Sequence, residues 1–82
     1  MKLLISRKAE KELDKLPHSL AQTISNEILK LTSNPYPQNS KKLRGEENYR
    51  MRVGSFRAIY SIDKKKQEIT ILRMADRKTI YR

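Results

Sequence analysis

The chain has 82 residues, enough for one small domain that buries only about 60% of its unfolded surface. Nineteen Lys and Arg against nine Asp and Glu give a formal charge of +10, which points to a phosphate-rich partner rather than an acidic or neutral surface. Cysteine is absent, which excludes a disulfide scaffold or thiolate metal site and suits a reducing cytoplasm.

Charged residues are 34% of the chain, yet its apolar positions are periodic, so it is expected to fold as a single domain, residues 1–82. Leu3-Leu4-Ile5 is too short for the apolar region of a signal peptide, and no stretch is long enough to span a bilayer. No long helix combines a basic face with a large apolar one, so a membrane partner is not expected. The charge is uneven: residues 1–41 carry +3 and residues 42–82 carry +7.

Lys2–Ile5 reads as a short strand. Ser6 is a candidate helix N-cap, and Ala9, Leu13 and Leu16 recur at i, i+4, i+7, predicting a helix over Arg7–Leu16 with one apolar stripe. Pro17 stops it. His18 lies at the junction, where a lone histidine is a surface or capping group more often than a catalyst, and no second ligand pairs with it for a metal. Leu20, Ile24, Ile28 and Leu31 predict a second helix, about Ser19 to Thr32. The two helices form a hairpin that covers one face of a sheet.

Ser33–Ser40 (SNPYPQNS) is a loop by its two prolines and its turn formers. Lys41, Lys42 and Arg44 follow as a basic cluster, either solvated or in contact with backbone phosphate. The stretch Asn48–Ile62 then alternates about Gly54-Ser55, the signature of a tight hairpin. A two-residue turn there sets Val53 opposite Phe56, Arg52 opposite Arg57, Met51 opposite Ala58 and Arg50 opposite Ile59. Arg50, Arg52 and Arg57 thus converge on one face, while Tyr49, Met51, Val53, Phe56, Ala58, Tyr60 and Ile62 line the other.

Crowded guanidiniums repel, and an anion with several oxygens relieves them; phosphate fits the planar fork of arginine. The alternative is a solubilising outer face of an antiparallel sheet. Phe56–Asp63 and Glu68–Asp76 are the next strands, joined through Lys64-Lys65-Lys66-Gln67. With a four-residue loop, Ile69 and Ile71 continue the apolar face and Arg73 points towards the core, where an unpaired guanidinium is costly. Either a bulge shifts the register or Arg73 pairs with a buried acid. Arg77 and Tyr81, four apart, share one side of a helical turn. Two glycines in the whole chain cannot build a glycine-rich phosphate loop.

The order strand, two helices, three antiparallel strands, with LRG…NYRMRVGSFRAIYSID…ITILRMADRKTIYR, resembles the RelE/ParE superfamily of toxins from type II toxin–antitoxin pairs, RelE-like branch. The likeness is densest in Leu43–Tyr81. It implies an α+β, microbial-ribonuclease-like fold: an N-terminal strand, a two-helix hairpin and a three-stranded antiparallel meander. It also implies a metal-independent, cofactor-free endoribonuclease (an mRNA interferase) that cuts messenger RNA in the ribosomal A site and arrests translation. The expected partners are the ribosome, mRNA and a cognate antitoxin from the adjacent gene.

Carried over residue by residue, the catalytic set falls on Arg50, Arg52, Arg57, Arg77 and Tyr81; Lys41, Lys42, Arg44 and Arg73 are expected RNA contacts from their charge and position. Relatives with strong ribosome-dependent activity often carry Lys where this chain has Arg50 and Arg52, and many carry His where it has Asp76. Arginine keeps its proton, so Asp76 is either the proton acceptor for the 2′-hydroxyl or a partner that aims Arg77. Two other readings of the same resemblance are a ParE-like inhibitor of DNA gyrase and a catalytically weak antitoxin-binding module.

Overall fold

The computed structural model describes residues 1–43 and 48–76. Its order is β1 (Lys2–Ile5), α1 (Arg7–Asp14), α2 (His18–Leu29) with a 3-10 turn at Lys30–Thr32, β2 (Ser40–Lys42), β3 (Asn48–Val53), β4 (Phe56–Asp63) and β5 (Glu68–Asp76). The predicted meander is there as β3, β4 and β5, within a five-stranded sheet of order β1-β5-β4-β3-β2. Two features were not anticipated. Ser40–Lys42, read as the end of a loop and a basic cluster, pairs antiparallel with β3, and β1 pairs parallel with β5.

The helices are amphipathic, and their buried residues form a single layer on the sheet. Ala9, Ile24, Ile28 and Leu31 pack with Met51, Ala58, Tyr60, Ile69, Ile71 and Met74, and each large apolar side chain so buried stabilises by about 1.5–3 kcal/mol. Ser6 caps α1 as expected: its hydroxyl oxygen accepts from the Ala9 amide at 3.1 Å. The same hydroxyl donates to the Leu72 carbonyl at 2.9 Å, tying the helix start to β5. Helix α1 ends two residues earlier than predicted, at Asp14, and Leu13 and Leu16 pack against the rim of the core. Among the described residues no helix is long and apolar enough to cross a membrane.

The Gly54-Ser55 turn has the anticipated register, Val53 opposite Phe56 and Arg52 opposite Arg57. Gly54 has φ +61° while Ser55 does not enter the left-handed region, as a type II′ turn requires. The Lys64–Gln67 connection likewise keeps Ile62 opposite Ile69 and Asp63 opposite Glu68. Gln67 takes φ +56° there, and its side-chain amide donates to the Lys64 carbonyl at 2.7 Å.

Candidate nucleic-acid interface

Strand pairing alone gathers the cations. Direct partners share a sheet face, and Lys41 pairs with Arg50, Arg50 with Ile59, and Ile59 with Arg73. One row of side-chain positions therefore runs Lys41–Arg50–Ile59–Arg73 across β2, β3, β4 and β5. The adjacent row holds Arg52, Arg57 and Ala75. Five cations thus occupy one face, the one turned away from the helices. Lys42 belongs to the opposite set, since it pairs with Tyr49. Arg44, Arg77 and Tyr81 lie outside the described residues. Asp76 pairs through its backbone with Phe56, not with an arginine position, and its side chain is likewise outside the description.

Arg73 reaches this face by means of a bulge. The register shifts between Ile59 and Tyr60: Tyr60 faces Ile71 and Ile59 faces Arg73, so Leu72 is the extra residue. The first of the two alternatives left open by the sequence is realised, and the acid that Arg73 meets is half-buried rather than buried. The bulge turns Arg73 out and Met74 into the core, and Arg73 also finds an acid, its Nη2 lying 3.3 Å from Oε2 of Glu12. The other oxygen of that carboxylate accepts from the Met74 amide at 3.0 Å. Pairing with β1 stops at Ile71, so the backbone beyond it needs a partner from elsewhere. Glu12 on α1 supplies it.

Arg57 is the unusual member. Its residue is 4% exposed, and its Nη1 donates to its own neighbour, the Phe56 carbonyl, at 3.2 Å. Its Nε is buried with no hydrogen-bond partner among the described residues, and so is the Nε of Arg73. Arginine does not shed its proton, so the charge stays and its cost with it. Such a site is stabilised when an oxyanion completes the missing bonds.

At the β2–β3 end of this face lies a cavity of about 270 Å³ lined by Gln38, Asn39, Lys41, Arg50 and Arg52. The Asn39 side-chain amide donates to the Arg52 carbonyl at 2.7 Å, and the Arg52 amide donates to the Asn39 carbonyl at 3.0 Å. That clasp holds the loop preceding β2 against β3. On the core side the same loop is held by Tyr60, whose hydroxyl donates to the Pro35 carbonyl at 2.8 Å. Tyr36, Tyr49 and Tyr60 form a ladder there, with ring centroids 5.4 and 5.7 Å apart. Burial raises the Tyr60 hydroxyl above its ordinary value, partly offset by a hydrogen bond with Ser40.

Sequence reasoning missed Gln38, Asn39 and Glu12. The need of Arg73 for an acid was visible, but three acids lie on α1 and nothing in their spacing selects Glu12. Asn39 is legible only once β2 is known to be a strand.

Known proteins agree with this architecture. The chain matches the family model of the ParE toxin of type II toxin–antitoxin systems, parDE, over residues 3–81. No curated protein matches it in sequence. Among solved structures it is similar to a chain of the archaeal RelE–RelB complex from Pyrococcus horikoshii OT3, at 28% identity and a TM-score of 0.84, over 95% of this chain and 96% of that one. A chain of the RelBE2 toxin–antitoxin complex from Mycobacterium tuberculosis aligns at 26% identity and a TM-score of 0.83, over 93% and 96% of the two chains. The isolated RelE toxin of E. coli, 20% identical with a TM-score of 0.80 over 98% and 89%, shares the fold. With the family model spanning all but the extreme ends of the sequence, this α+β chain belongs to the RelE/ParE family of type II toxins.

Proposed function

We propose that the protein is a ribosome-dependent endoribonuclease that cuts messenger RNA and so arrests translation in the cytoplasm. The observation that carries this reading is the cation face itself: Lys41, Arg50, Arg52, Arg57 and Arg73 on one side of four strands, with the buried Arg57 short of hydrogen-bond acceptors. Its occupant is the phosphate of an RNA strand.

In the cleavage step the 2′-hydroxyl oxygen attacks the adjacent phosphorus, the bond from phosphorus to the 5′-oxygen breaks, and a cyclic phosphate remains. The nucleophile loses a proton and the leaving oxygen gains one. Arg50, Arg52 and Arg57 stabilise the added negative charge on the phosphorus oxygens, with Arg77 as the fourth clamp, and fixed charge of this kind supplies much of the rate in such sites. Tyr81 stacks on or orients a nucleotide. Lys41, Arg73 and, from the flanking segment, Arg44 hold neighbouring phosphates. Asp76 takes the 2′-hydroxyl proton or aims Arg77. The chemistry is metal-independent.

The partner that silences it is a cognate antitoxin, in keeping with the similarity to chains of RelE–RelB and RelBE2 complexes. A second reading, inhibition of DNA gyrase without RNA chemistry, is favoured by the family description, ParE, that the chain matches. Brief induction in cells, with messenger 5′ ends mapped and plasmid supercoiling followed, separates them. In-frame cuts that vanish in Arg52→Ala establish the nuclease. Altered supercoiling without cuts establishes the gyrase inhibitor, and neither change leaves an antitoxin-binding module.

A further inference from the structure

The cavity on the cation face is lined by two kinds of group. Lys41, Arg50 and Arg52 read charge, which is the same at every nucleotide. The two carboxamides differ in how they are used. Asn39 is committed to the backbone of Arg52. The Gln38 side chain, one residue earlier and exposed, makes no hydrogen bond among the described residues. The backbone around it is fixed by the Asn39 clasp and by the Ser40 amide, which donates to the Pro37 carbonyl at 3.0 Å. A free carboxamide carries both donor and acceptor, the pattern that matches a base edge.

We propose that this cavity is a nucleotide subsite beside the phosphate clamp, in which Gln38 hydrogen-bonds the edge of one unpaired base and sets the sequence preference of the protein. The inference rests on the RNA reading above. At about 270 Å³ the cavity is just below the range of about 300–1,000 Å³ typical of small-molecule sites. Its size suits part of one nucleotide rather than a duplex. Single-stranded RNA is read in this way, by hydrogen bonds to splayed bases whose phosphates are held by cations. An acidic peptide would also satisfy the cations, and its backbone would pair with the carboxamide, so it enters the test as the competing ligand.

The test is fluorescence anisotropy at low salt with the full chain and four heptaribouridylates that carry A, C, G or U at the central position. Wild type is expected to bind one of the four about fivefold or more tighter than the weakest, the span of one good base contact. Gln38→Ala should bring all four within twofold while the weakest wild-type affinity is kept. RNA binding with no base preference, or a preference that survives Gln38→Ala, overturns the subsite and leaves the RNA reading standing. No binding to any of the four overturns the subsite, while the RNA reading stands or falls with the in-frame cuts sought in cells. An aspartate-rich heptapeptide that displaces every RNA at lower concentration than the RNA itself overturns the subsite in favour of a protein ligand.

Discussion

Replacement of Glu12 by alanine removes two contacts that differ in kind. The Met74 amide donates to one carboxylate oxygen at 3.0 Å, and Arg73 approaches the other at 3.3 Å. A hydrogen bond to a charged acceptor contributes about 1.5–3 kcal/mol, and its loss leaves a β5 amide without a partner. The ion pair, with Arg73 31% exposed, adds about 0–1 kcal/mol. Glu12→Ala should therefore cost about 2–4 kcal/mol in urea unfolding. For a domain of this size that is a fall of roughly 10–25 °C in Tm. Glu12→Gln keeps an acceptor for the amide and should lose only about 1 kcal/mol. Because the amide contact is independent of Arg73, most of the alanine cost should persist in an Arg73→Met background, with a coupling energy of about 0.5–1 kcal/mol. If Glu12→Ala unfolds within 0.5 kcal/mol of wild type, the role assigned to Glu12 in capping β5 is wrong.

Arg57→Met exchanges a buried guanidinium with an unpartnered Nε for an apolar chain of similar length, so Tm should hold or rise by several degrees. Added sulfate should stabilise wild type more than this variant; a Tm loss of more than about 4 °C would contradict the reading, since that is close to 1 kcal/mol. Burial holds the Tyr60 hydroxyl above its ordinary 10.0, so the unfolded chain loses that proton first and stability falls as pH rises from about 10 through the raised folded value. The slope approaches about 1.4 kcal/mol per pH unit, and urea midpoints across that range should lose this component in Tyr60→Phe. Gly54→Ala places a Cβ in open space at φ +61°, so its cost is conformational alone. About 1–2 kcal/mol is expected by thermal unfolding, with less for Gly54→Asn, and an unchanged Tm would remove the turn assignment.

The hairpin was legible because two local signals agreed: a Gly-Ser pair that fits a type II′ turn, and strict alternation on both sides of it. Agreement of that kind makes register readable, and with it the shared face of Arg50, Arg52 and Arg57. The helices were readable from their stripes for the same reason. Three residues at Ser40–Lys42 carry too little periodicity to announce a strand, and their pairing depends on the Asn39–Arg52 clasp, a tertiary contact. The bulge at Leu72 inserts one residue into an otherwise regular pattern, and alternation alone cannot place it. A charged side chain aimed at the core was the only trace it left. The depth of Arg57 was illegible altogether, since arginine on an outer face is ordinarily solvated.

The parallel edge brings together segments 66 residues apart, as at Ser6 and Leu72. Such a pairing closes a long loop before it returns any energy, which slows folding relative to a helical chain of equal size. On a translating ribosome, β1 and α1 emerge early and wait for β5, and until it arrives the carboxylate of Glu12 has no strand to hold. The five-stranded sheet is thus completed only by a late, long-range closure event.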